Sequence, residues 1–350
     1  MLPILIIVLF AMSSLLPKEQ KLREVTRSYP LQVKGAIPYW DQERAVSSFE
    51  ENIEKINTIS LFWYHIGADS DILKYDDAEE DESIIDHAHD KDVKVLAVIT
   101  NLSDYTGAEW DSDRVREIIT DDEKRANHIE DIVELVEDKN FDGVNIDYEE
   151  LDEDLEDEFS LFIEELSEKM DAKDKIVGVA LHPKSGEDLP QEDNGSRAQD
   201  WKELARYADE LYLMTYGEHW DNSAAGPIAS LGWVEKKLIY LQSLGVPLEK
   251  FYLGIPLYGE DWNKDKEELG MGLTYTDVQN ILDEYDPDVK WDDKQKSPYF
   301  FYEKEGDTHE VWFEDARSVG EKIKLANKAG LGGVTFWRLG GEDSDIWKIL

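Results

Sequence analysis

The feature that most constrains this chain is an alternation repeated eight times: a short apolar run rich in β-branched and aromatic residues, then a segment with helical spacing. Runs at 32–40, 58–64, 93–100, 141–150, 175–181, 210–216, 251–258 and 333–337 read as strands. Between them, 45–56, 83–89, 201–207 and 319–329 read as helices. Further helices show in the stripes Ile129, Ile132, Val133, Val136 and Leu151, Leu155, Phe159, Phe162, Leu166, Met170, and in Val234, Leu238, Leu241, Leu244 closed by Gly245 and Pro247. Eight strands alternating with helices predict a single (β/α)8 TIM barrel, a size that 350 residues can fill as one domain. The gap between the seventh and eighth strands predicts a small α+β insertion at about 263–313. It holds a hairpin whose arms, 299–302 and 311–313, flank Glu305-Gly306-Asp307. The expected organisation is therefore 1–17 as a leader, 18–32 as a connector and 33–350 as the barrel, with a short terminal helix at 346–350.

Composition removes several functions. With no cysteine there are no disulfides, thiol nucleophiles or thiolate metal sites, and the 7 His form no metal-binding spacing, so neither a metal nor an organic cofactor is expected. A net charge of -43, from 80 acidic against 37 basic residues, repels nucleic acid and anionic membranes. Two hypotheses fit that charge: adaptation to high salt, where screening shortens like-charge repulsion, and a plain soluble acidic surface. A salt series separates them, because an activity and stability optimum in dilute buffer contradicts the first. The apolar run 1–16 reads as a secretory segment, with Ala11-Met12-Ser13 as a small-x-small cleavage site, or as a short membrane anchor. Export is the expectation from either form; the sequence does not set the oligomeric state.

In such a barrel, chemistry sits at the C-terminal ends of the strands. On the fourth strand, Val144, Ile146 and Tyr148 share one face, while Gly143, Asn145, Asp147 and Glu149 share the other. Two carboxylates and an amide on a buried strand are costly unless they bond one another or do chemistry. Tyr216 ends the sixth run, Trp337 the eighth and Trp40 the first. Paired acids, a phenol and flat aromatic rings suit a sugar-cleaving pocket.

The run Asp142-Gly143-Val144-Asn145-Ile146-Asp147-Tyr148-Glu149 resembles the DGxDxDxE signature of glycoside hydrolase family 18, the chitinase-like enzymes. Met214-Thr215-Tyr216, Leu253-Gly254-Ile255-Pro256-Leu257-Tyr258-Gly259 and Phe336-Trp337 are similar to that family's motifs on strands six, seven and eight, in the same order. The resemblance implies substrate-assisted retaining hydrolysis of an N-acetylated polysaccharide, without a cofactor. It implies Glu149 as general acid, Asp147 as the group that orients the acetamido N–H, and Tyr216 as donor to the acetamido oxygen. Trp337 would floor the sugar pocket, and Trp40, Asn145, Trp220, Tyr258 and Trp262 are further substrate-binding candidates. Asn145 stands where most chitinases have a second inward Asp, so Asp147 is expected to ionise more easily. That Asn, and Gly217-Glu218-His219-Trp220, resemble the branch of spore-cortex and peptidoglycan N-acetylglucosaminidases. A silent carbohydrate-binding protein on the same barrel is the competing reading, which replacement of Glu149 tests. As a hard-cation site, Asn145 and Tyr216 would be poor ligands.

Overall fold

The computed structural model describes residues 21–26, 29–103, 109–186 and 195–350; the leader 1–17 lies outside the described residues. Eight parallel strands close on themselves: β1 (Gln32–Pro38), β2 (Thr58–Ile66), β3 (Lys94–Thr100), β4 (Gly143–Asp147), β5 (Ile176–Leu181), β6 (Glu210–Leu213), β7 (Phe251–Pro256) and β8 (Gly333–Trp337). Each pairs with its neighbour in order, and β8 returns to β1 through Gln32↔Gly333 and Gly35↔Phe336. The chain is a (β/α)8 TIM barrel.

The sequence periods map directly onto the layers. Every residue of β2 is buried, as expected for a strand covered by helices outside and side chains inside. The helix Asp122–Asp138 turns Ile129, Ile132, Val133 and Val136 to the barrel, and its Asp121 cap accepts from Glu123 N–H and Lys124 N–H. The helix Leu231–Leu244 stops at Gly245, whose φ of +70° is the left-handed conformation glycine tolerates best. Gly143 answers a second constraint: a Cβ there would lie 2.2 Å from the Ile176 carbonyl oxygen of the neighbouring strand. At the opposite end from the strand tips, Lys34 fills the barrel, donating to Glu210 Oε2 at 2.6 Å and lying 4.3 Å from the centre of the Tyr252 ring.

Between β7 and β8 a five-stranded antiparallel sheet carries the helix Tyr275–Tyr285. Its strands are Tyr258–Asn263, Met271–Thr274, Lys290–Asp292, Ser297–Lys304 and Asp307–Phe313, so the insertion starts five residues earlier than the expected 263. The expected hairpin is there, closed by Glu305-Gly306 with both φ values positive. One face of this sheet has its own core of Leu273, Val278, Phe300, Tyr302, Val311 and Phe313. The other packs Trp262 and Trp312 against Ile228, with Tyr216 and Tyr258 at the edge, so the insertion forms a wall beside the strand tips. A fully buried ion pair holds its far end to the barrel: Lys322 Nζ donates to both Glu314 oxygens, at 2.8 and 2.7 Å.

Several strand ends differ from the sequence reading: the fourth strand stops at Asp147 rather than 150 and the seventh at Pro256 rather than 258. The sixth strand stops at Leu213 instead of reaching Tyr216, because Thr215 and Tyr216 turn their N–H groups back to Leu213 and Met214 while Thr215 Oγ1 donates to the Gly254 carbonyl at 2.6 Å. The first ends at Pro38, and Trp40 sits in a 3-10 turn, Tyr39–Asp41. The terminal helix is likewise a 3-10 turn, Ser344–Lys348.

Candidate active site

Small residues on the inner faces of β1, β2 and β5 (Ala36, Ser60 and Ala180) leave a cavity of about 210 Å³ at the strand tips. Asn145, Asp147 and Glu149 all line it, as the alternation on the fourth strand requires. Their outward neighbours are packed under helices: Tyr148 stacks on Phe162 and its OH meets His128 Nε2 at 2.7 Å. Asp142, at the other end of the motif, accepts from Val95 N–H at 2.7 Å and from His89 Nε2 at 2.9 Å, which pins the start of β4 to β3.

Asp147 is buried, while the Glu149 side chain at the rim keeps 19 % of its surface exposed. Burial pushes the Asp147 carboxyl up to about 7. The rise comes from loss of solvent; Asn145 adds no like charge to it. Glu149 is held well above the usual carboxylate range, first by burial, then by the charges of Asp147 and Glu150. The Tyr216 phenol is likewise held well above its ordinary value by burial and by both acids, so it is a proton donor at neutral pH. Asn145 Oδ1 and Asp147 Oδ1 are buried acceptors with no partner among the described residues.

The aromatic side of the cavity is a cluster of Trp40, Phe62 and Trp337, with ring centres 5.5 to 6.2 Å apart. Three other candidates stand elsewhere. Trp220 is exposed on the loop after β6; Trp262 is buried against Ile228 and Trp312, its Nε1 donating to the Trp220 carbonyl at 3.3 Å; Tyr258 lines a neighbouring pocket. In the Gly217-Glu218-His219-Trp220 segment, Glu218 Oε2 accepts from Ser230 N–H at 2.6 Å and His219 Nδ1 lies 2.9 Å from the Ala224 carbonyl, so these side chains shape the loop.

Other residues emerge only from the structure. Trp110, Phe62 and Leu102 line the cavity, alongside Met214 of the strand-six motif. Asn101 holds the backbone of Glu149, donating to its carbonyl at 2.9 Å and accepting its N–H at 2.8 Å. His182 places Nε2 3.2 Å from Glu149 Oε2, outside hydrogen-bonding geometry, and burial depresses its pKa to about 4, so the ring is neutral. Asn101 and His182 directly follow β3 and β5, and the rule that function gathers at strand ends could have found both.

The description of glycosyl hydrolases family 18 matches residues 36–343. YdhD of Bacillus subtilis (strain 168), provisionally named a sporulation-specific glycosylase, is 28 % identical over 287 residues, covering 81 % of this chain and 66 % of that protein. The cortical fragment-lytic enzyme of the same strain is 27 % identical over 263 residues, covering 73 % of this chain and 59 % of its own length. This chain thus spans less than two-thirds of either relative. A chitinase structure from Chromobacterium violaceum ATCC 12472 superimposes with a TM-score of 0.81 at 27 % identity, covering 91 % of this chain and 98 % of the other.

Proposed function

Because the chain belongs to glycosyl hydrolases family 18, we propose that it hydrolyses β-1,4 bonds of N-acetylglucosamine-containing glycans, by a substrate-assisted retaining route and with bacterial wall glycan as the favoured polymer. One observation carries this reading: a raised carboxyl at the rim, Glu149, stands over a second buried carboxyl and an amide whose Oδ1 atoms have no partner among the described residues. A group held protonated near neutral pH can act as general acid. Two orphaned acceptors beneath it suit a substrate that brings N–H and O–H donors, as an acetamido sugar does.

In this scheme Glu149 gives its proton to the glycosidic oxygen as the C1–O bond breaks, and the acetamido oxygen of the same sugar forms the new bond to C1. Asp147, ionised, accepts the acetamido N–H and balances the positive charge of the oxazolinium; Tyr216 O–H donates to the acetamido oxygen. The Glu149 carboxylate then takes a proton from water as its oxygen attacks C1 and the ring opens, leaving the acid ready for the next cycle. Trp337 and Trp40 offer flat faces to the sugar.

The preference for wall glycan is supported by Asn145 and by similarity to YdhD and the cortical fragment-lytic enzyme. Export through the apolar segment 1–17 belongs to the same proposal, since the polymer lies outside the membrane. Incubation with purified peptidoglycan and with chitin oligomers, followed by identification of the new reducing ends, is the test. New N-acetylglucosamine reducing ends from peptidoglycan support the reading; no release from either polymer, with sugar binding retained, would favour a silent binding protein.

A further inference from the structure

Beside the catalytic cavity lies a second pocket of about 400 Å³, and the two share Trp337 as a common wall. Two arginines line it, Arg44 and Arg338, on a chain whose net charge is -43. Both are fixed through one carboxylate. Arg44 Nε donates to Asp41 Oδ1 at 2.6 Å, and Arg338 Nη1 donates to Asp41 Oδ2. Each partner is adjacent in sequence to a tryptophan of the catalytic cavity, Asp41 to Trp40 and Arg338 to Trp337. Two guanidiniums stand against two carboxylates here, Asp41 and the pocket-lining Asp277, so the pocket has no net positive charge and recognition rests on the guanidinium fork of Arg44.

Two nearby acids accept hydrogen bonds of their own while keeping their charge. Asp277, the second carboxylate whose charge Arg44 feels, accepts the Thr274 N–H at 2.9 Å and its hydroxyl at 2.6 Å in a helix-capping box. Glu342 accepts the Gly340 and Gly341 N–H groups, at 2.8 and 3.0 Å, and the Trp347 indole at 2.9 Å. Arg44 spends its Nε N–H on Asp41, lines the pocket, and keeps its side chain 54 % exposed. Its planar fork is suited to a carboxylate.

We infer that this pocket is a carboxylate-recognising subsite for a sugar next to the cleaved bond, with Arg44 as its main contact and Asp41 as the residue that holds both guanidiniums in place. Chitin has no carboxylate; the free lactyl ether acid of a peptide-free muramic residue does. The pocket therefore selects denuded peptidoglycan strands over chitin, an inference that rests on the hydrolase reading for its catalytic consequence but not for binding.

The test uses three oligomers of equal length: alternating N-acetylglucosamine and N-acetylmuramic acid with free lactyl carboxylates, the same oligomer with those carboxylates capped as methylamides, and an N-acetylglucosamine oligomer. Turnover is measured with the wild type and Arg44→Gln, and binding by calorimetry in a Glu149→Gln background with and without Arg44→Gln. The expected result is that Arg44→Gln lowers kcat/KM and affinity for the free-acid oligomer about tenfold relative to the other two, with circular dichroism showing both proteins folded. A stem-peptide source for the carboxylate is tested in a fourth arm, peptide-bearing strands; a preference confined to that arm contradicts the lactyl assignment. Equal effects of Arg44→Gln on all oligomers, or no difference between free and capped acid in the wild type, overturn the subsite even if hydrolysis is robust. Discrimination in binding without turnover leaves the subsite standing and removes the hydrolase reading.

Discussion

Asn101 grips Glu149 by both polar groups of its backbone, donating from Nδ2 to the carbonyl at 2.9 Å and accepting the N–H on Oδ1 at 2.8 Å. The carboxyl at the rim is therefore aimed by a neighbouring strand as well as by its own. Asn101→Ala removes both bonds, and a small displacement of the acid is expected to lower kcat by about 10- to 100-fold with little change in KM. Asn101→Asp puts a negative charge beside Glu149, so the alkaline limb of the rate profile should move to higher pH. A merely structural role for Asn101 would change stability and leave that limb in place.

Asn145 separates two electrostatic regimes. Asn145→Asp adds a like charge next to Asp147, disfavouring the ionised forms of the coupled pair. The whole bell-shaped profile of kcat/KM should then move to higher pH. A profile that stays in place shows that Asn145 does not face the acids closely enough to matter.

Asp147 makes stability depend on pH in a defined direction. Its folded pKa of about 7 exceeds the ordinary 3.8, so the folded state holds this proton more tightly than the unfolded chain does. The resulting stabilisation is complete below pH 3.8 and is lost as pH rises through about 7. Asp147→Asn removes that loss, so the variant should gain Tm over the wild type progressively across this window while losing activity. Equal Tm values at pH 8 contradict the burial argument.

The Glu314–Lys322 pair is a fully buried ion pair that ties the end of the insertion to the barrel. Lys322→Met leaves a buried carboxylate without its cation and should cost about 3–5 kcal/mol in urea denaturation. The double change Lys322→Met with Glu314→Leu should recover most of it. A double variant as unstable as the single one shows that the cost lies in packing rather than in charge.

Much of this was legible in the sequence for a physical reason: period determines face. The alternation from Gly143 to Glu149 placed Asn145, Asp147 and Glu149 in one cavity, and the structure brings Tyr216, Trp40 and Trp337 to the same place. Contacts between distant segments were not legible. Trp262 and Trp220 read as sugar-binding aromatics, yet Trp262 is packed inside the wall and Trp220 lies outside the cavity, because the insertion folds as a sheet with its own two faces. Asn101 and His182 carry no local pattern of their own; only closure of the barrel puts them beside Glu149. The raised carboxyl of Asp147 was not legible for a related reason, since charge pairing can be read along a strand and depth of burial cannot.

The central claim is that Glu149 is the acid of a glycosidase, and the most direct measurement is turnover of an N-acetylated oligosaccharide by the wild type and by Glu149→Gln, with sugar binding measured on both. Loss of the acid is expected to lower kcat by about 10²- to 10⁴-fold while affinity is retained. If the two proteins turn over the substrate equally, or are equally inert while both bind it, the account is wrong.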